Sequence, residues 1–145
     1  MKQIFLTITL LLLTILHASA IKKFEPNPIN VATLIVEKTD SAQIASTCEY
    51  YGFAYQGAEN GYTVMKRSNG NEIKFTFNDN GTLQKYPIIV VKAKETHKEI
   101  DARLKELNFE KTGNSYDRIR NQYSKYKIQC KFGPHNTLIL HRIAQ

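Results

Sequence analysis

Residues 40–53 read DSAQIASTCEYYGF and residues 96–109 read THKEIDARLKELNF. The two stretches align without a gap, 96 − 40 = 56 residues apart. Each opens with a helix-capping residue, Asp40 or Thr96, and carries Gln43 or Glu99 three positions later, the arrangement of a capping box. Apolar side chains follow at i, i+4 and i+7: Ile44, Cys48 and Tyr51 in the first stretch, Ile100, Leu104 and Leu107 in the second. That spacing lines one face of an amphipathic helix. Each stretch closes on a residue that tolerates the left-handed conformation, Gly52 or Asn108, and then Phe. Start signal, buried stripe and stop signal agree in order, which predicts two helices and an internal duplication.

A β-branched run precedes each helix, at 31–36 and 88–91, and predicts a strand in each place. After the first helix, runs at 62–67 and 72–77 flank Ser68-Asn69-Gly70-Asn71, and Asn-Gly between two such runs marks a hairpin. After the second, 116–122 and 125–132 take the same places, and 137–143 closes the chain as a strand. Ile73, Phe75 and Phe77 match Ile128, Cys130 and Phe132, and Thr82-Leu83 matches Thr137-Leu138. The expectation is an α+β fold: a β-α-β-β-β unit in tandem, with an antiparallel sheet carrying one helix per copy on one face. Copy one spans 31–84 and copy two 85–145, joined at Lys85-Tyr86-Pro87. Residues 21–30, with Pro26 and Pro28, form an extended lead-in.

The N-terminus has a different character. Lys2 precedes an apolar or threonine run over residues 4–16, and Ala18 and Ala20 fit a small-x-small cleavage pattern. This predicts a signal peptide over 1–20, cleaved after Ala20, and an exported protein, periplasmic or secreted. The run is short for a bilayer span, which needs about 20 residues. Lys22 and Lys23 speak for the rival, a retained anchor. Cleavage leaves 145 − 20 = 125 residues, enough for one compact domain.

Only two cysteines are present, Cys48 and Cys130. In an oxidising compartment they either pair, stapling the two copies, or remain two separate buried thiols; their repeat partners, Leu104 and Phe75, mark core positions. Two cysteines exclude a disulfide framework and a site made of sulfur alone. His97, His135 and His141 match no zinc spacing. Asn78-Asp79-Asn80-Gly81 lacks the glutamate of a calcium loop and reads as a turn. No P-loop, dinucleotide fingerprint or nucleophile elbow is present. The expectation is therefore a non-enzymatic protein without cofactor or metal.

Charge points to a surface. Residues 31–80 hold four basic and six acidic side chains, whereas 85–145 hold thirteen and six. Lys111, Arg118, Arg120, Lys125, Lys127 and Lys131 stand against Asp117 alone within 111–131, with Tyr116, Tyr123 and Tyr126 among them. Alternation puts Tyr126, Ile128, Cys130 and Phe132 on one side of a strand and Lys125, Lys127, Gln129 and Lys131 on the other. Arg118, Arg120 and Tyr123 join this basic face from the partner strand and its turn. A solvated sheet edge guarded by lysines explains the pattern too. The functional expectation is an exported binding protein, of inhibitor or immunity type, docking an acidic partner protein through this face of copy two. The alternative is a binder of an anionic surface: polysaccharide, lipid headgroups or nucleic acid.

Overall fold

The computed structural model describes residues 25–77, 86–119 and 125–144. The signal segment, Thr82-Leu83, Arg120 and Tyr123 lie outside the described residues. The described chain is α+β: three helices and an eight-stranded, wholly antiparallel sheet. In chain order the elements are α1 (Pro28–Ile35), α2 (Ser41–Tyr50), β1 (Ala54–Glu59), β2 (Tyr62–Lys66), β3 (Glu72–Phe77), β4 (Pro87–Lys92), α3 (His97–Glu106), β5 (Glu110–Thr112), β6 (Ser115–Ile119), β7 (Tyr126–Gly133), a 3-10 turn (Pro134–Asn136) and β8 (Thr137–Ala144). Strand order across the sheet is β1-β2-β3-β4-β8-β7-β6-β5.

The helices α2 and α3 form where their signals stand. The Asp40 carboxylate accepts from the Ala42 and Gln43 amides, and Thr96 and Glu99 complete a reciprocal capping box. Both end alike. Gly52 (φ 86°) and Asn108 (φ 61°) turn left-handed. The Phe53 amide then donates to the Cys48 carbonyl at 3.0 Å, and the Phe109 amide to the Leu104 carbonyl at 2.9 Å. This is the Schellman closure, and it drives both Phe rings into the core.

The run 31–36, expected as a strand, is helical instead, and the lead-in stops short of residue 30. Asn27 caps α1 by accepting from the Ile29 amide at 2.8 Å, and Pro28 sits in the first turn, where its missing N–H costs nothing. Ile29, Val31, Ala32, Ile35 and Val36 are all fully buried. Burial on most sides of one short helix outweighs the strand preference of β-branched residues. The edge strands β1 and β5 went unanticipated. Most side chains of β1 and all of β5 are exposed, so neither carries the apolar alternation that marks a strand.

All three helices pack on one side of the sheet. The inward residues Met65, Ile73, Phe75, Ile89, Val91, Leu138, Leu140, Ile128 and Cys130 meet Ile35, Ile44, Cys48, Ile100 and Leu104 in one core. Buried arginine joins the layers. Arg67 stacks over Phe53 at 4.2 Å. It donates from Nε and Nη2 to the Tyr51 carbonyl at 3.0 and 2.8 Å, and from Nη1 to the Pro26 carbonyl at 2.6 Å. It thereby satisfies the C-terminal end of α2 and pins the segment leading into α1.

Candidate functional site

Register fixes what lies on the opposite side, which is free of the described helices. Residues directly opposite in an antiparallel pair point to the same face. The pairs Val64–Lys74, Lys74–Val90, Val90–Ile139, Ile139–Lys131 and Lys131–Ser115 therefore form one continuous row across six strands. Ile88, His141, Gln129 and Asp117 extend this face on one side, and Glu72, Lys92 and Thr137 on the other. Its middle is apolar: Val64 is 5% exposed, and Ile88, Val90, Ile139 and Ile143 are half-buried although no described helix covers them. A groove of about 480 Å³ crosses this face between the Asn60 hairpin tip and the Pro134-His135 turn, with Tyr62, Lys74, Val90 and Ile139 in its lining. The far wall is built on an unusual turn. His135 and Asn136 are both left-handed (φ 56° and 57°). The Asn136 side-chain amide holds them by donating to the carbonyls of Ala93 and Glu95 at 3.2 and 3.0 Å.

The charges around the apolar centre are partly matched. Lys74 pairs with Glu59 at 2.5 Å and Glu72 at 3.4 Å, and Lys66 with Glu72 at 2.9 Å. Lys127 pairs with Asp117 at 2.5 Å, and Gln129 donates to the other Asp117 oxygen at 3.2 Å. Burial raises the Asp117 pKa, but Lys127 and Gln129 outweigh it and hold the carboxyl below its usual range. The His141 imidazole is pushed down, first by burial and then by nearby Lys131, which favours its neutral form. Lys92 and Lys131 form no ion pair among the described residues.

The expected site residues separate. Lys127 and Lys131 stand on the helix-free face, and exposed Lys125 lies just before β7. Arg118 does not join them. It lies opposite Ile128, on the helix side, where it packs over the Phe109 ring at 5.1 Å and meets Glu37 at 3.8 Å. The pairing of β6 with β7 decides this, because a shift of one residue exchanges the two faces. Tyr116 and Tyr126 lie on the other side, Tyr126 as alternation along its strand predicts. Tyr116, opposite Cys130, is buried and donates to Asp101 at 2.6 Å; Tyr126, opposite Ala144, lies toward the helix side at the sheet end. Cys48 and Cys130 are not bonded to each other: both are free and fully buried, and burial pushes each thiol up to about 12.

Sequence reasoning missed the apolar centre. The available signal was the runs PIIVVK and TLILHRIA, apolar at both parities, which mark strands shielded on both sides. Among the described residues no cluster of three metal-ligating side chains occurs, and no helix is long and apolar enough to cross a membrane. Comparison with models of known families, with curated proteins and with solved structures finds no match for this chain.

Proposed function

We propose that this is an exported, non-enzymatic binding protein that docks a partner protein on the helix-free face of its sheet. One observation carries the reading: the row Val64–Lys74–Val90–Ile139–Lys131, apolar at its centre and cationic on both flanks, on a sheet whose other side holds every described helix. Interfaces combine an apolar, desolvated centre with a polar rim. A partner with apolar side chains inside an acidic border fits this pattern, Lys92 and Lys131 supplying cations outside any ion pair among the described residues. The expected basic patch of copy two thus contributes Lys127 and Lys131 to a wider surface rather than forming the surface alone. Internal pairing of Lys74 and Lys127 speaks for a protein partner over a polyanion, which rewards unpaired cations.

The duplication is part of the same proposal. Its support is the like closure of α2 and α3, 56 residues apart, and the mirrored strand order on either side of the β4–β8 pair. On this reading each unit is a helix and four strands, the boundary falls after β4 rather than at residue 84, and the binding face is shared by both units.

The test is capture of partners with the mature protein, compared with Val90→Thr and Ile139→Thr. Loss of one identified partner in both variants, with modest sensitivity to salt, supports the reading. Retention in both variants, or collapse of binding at modest salt in the wild type, points to the anionic-surface alternative.

A further inference from the structure

Arg142 ends the sheet in an arrangement that the docking face does not use. It lies opposite Ile128 and therefore points to the helix side. Its Nε donates to the Val36 carbonyl at the end of α1 at 2.9 Å, which fixes the guanidinium. The Tyr86 and Tyr126 rings each lie 4.6 Å from its central carbon. Their centroids are only 6.1 Å apart, well under twice 4.6 Å, so the rings do not sandwich it but form a notch on one side. Among the described residues neither Nη group has an acceptor. The cleft there measures about 210 Å³, and Lys125, Ile143 and Ala144 complete its lining. Among the described residues its lining holds no carboxylate, unlike the grooves that contain Glu59 and Glu72 or Glu110 and Asp117. The nearby carboxylate of Glu37, next to Val36, faces Arg118.

We propose that this cleft binds a phosphate monoester. A guanidinium held by its Nε keeps the two Nη donors for bidentate contact with an oxyanion, and the aromatic notch holds its plane. Lys125 supplies a second cation, and two cations suit a group that carries about −1.5 to −2 at neutral pH. The volume is below the roughly 300 Å³ at which sites for larger ligands begin, so the cleft takes a headgroup.

The experiment titrates the full mature chain with inorganic phosphate, with glycerol 3-phosphate and with vesicles of phosphatidylcholine with and without phosphatidic acid. The proposal expects one saturable site that Arg142→Lys weakens about tenfold, since a point charge does not replace a fork. Lys125→Gln, at an exposed position outside the strands, weakens it severalfold with no change in melting temperature, and decides the matter should Arg142→Lys misfold. Val90→Thr leaves binding intact. Saturation by soluble phosphates alone identifies a free ester as ligand; added affinity for phosphatidic acid vesicles, lost in the same variants, identifies a lipid headgroup. Absence of saturable binding in every arm, or equal binding by wild type and Lys125→Gln, overturns the proposal.

Discussion

Val90 and Ile139 face each other across the β4–β8 pair on the side of the sheet that no described helix covers. Each belongs to a strand whose other face is packed into the core through Ile89, Val91, Leu138 and Leu140. The sheet is therefore rigidly backed where its free side is most apolar. Replacing either residue with Thr keeps a strand former and is expected to cost about 1 kcal/mol of stability or less. The same changes are expected to weaken partner binding about tenfold, the size of a central interface contact. Parallel unfolding and binding titrations separate the two effects.

Gly133 is a packing constraint beneath the groove wall. Its backbone is extended (φ −104°), so a side chain is not excluded by conformation. A Cβ there would lie 2.6 Å from Thr137 Oγ1 and 3.0 Å from Ile139 Cδ1. Thr137 cannot yield freely, because its hydroxyl donates to the Pro134 carbonyl at 2.7 Å. Gly133→Ala is expected to destabilise by roughly 1–3 kcal/mol. A urea midpoint equal to wild type would show that the β7–β8 turn relaxes.

Arg67 carries more structure than its position after a β-strand suggests. Burial lowers its pKa, while Glu25 opposes the shift. Arg67→Met leaves the Tyr51 and Pro26 carbonyls without their donors, an expected loss of roughly 2–4 kcal/mol in chemical denaturation. Arg67→Lys recovers only part of it, since one ammonium does not span both carbonyls as the fork does.

Alkaline pH is expected to unfold the protein through groups that stay protonated in the core. Burial pushes Cys48 and Cys130 up to about 12, and burial with the Asp101 contact does the same to Tyr116. In the unfolded chain a thiol titrates near 8.5 and a phenol near 10. Between those values and about 12 the unfolded state has released protons that the native state retains, so stability falls as pH rises. The slope approaches about 1.4 kcal/mol per pH unit for each group. Stability measured from pH 7 to 11 tests this, and Cys48→Ala should flatten the slope while lowering the neutral value. In the native state neither thiol should react with a thiol reagent at pH 8, and both should react in denaturant.

What the sequence discloses is local. The helices α2 and α3 are legible because Asp40, Thr96, Gly52 and Asn108 act within a few residues of themselves. The helix α1 is not, because Ile29 and Val31 are helical only by virtue of the sheet they are buried against; Asn27-Pro28 was the one local hint. Alternation within β7 is visible from Tyr126 to Phe132, and it correctly divides lysines from core. The side on which Arg118 falls depends on how β6 pairs with β7, a relation between two segments that neither expresses alone. The β4–β8 pairing joins Val90 to a residue 49 positions away (139 − 90), and the apolar centre of the free face arises only from that pairing.

The central claim is that the helix-free face meets a partner protein. Its most direct measurement is photo-crosslinking in the cells that make the protein, with a photoreactive residue placed at Val90 or, on the exposed side of α3, at Ala102. The account predicts one defined protein adduct from Val90, absent from Ala102 and reduced when Lys92 and Lys131 are reversed to Glu. An adduct formed from Ala102 and not from Val90, or none from Val90 under conditions where the partner co-purifies, would contradict it.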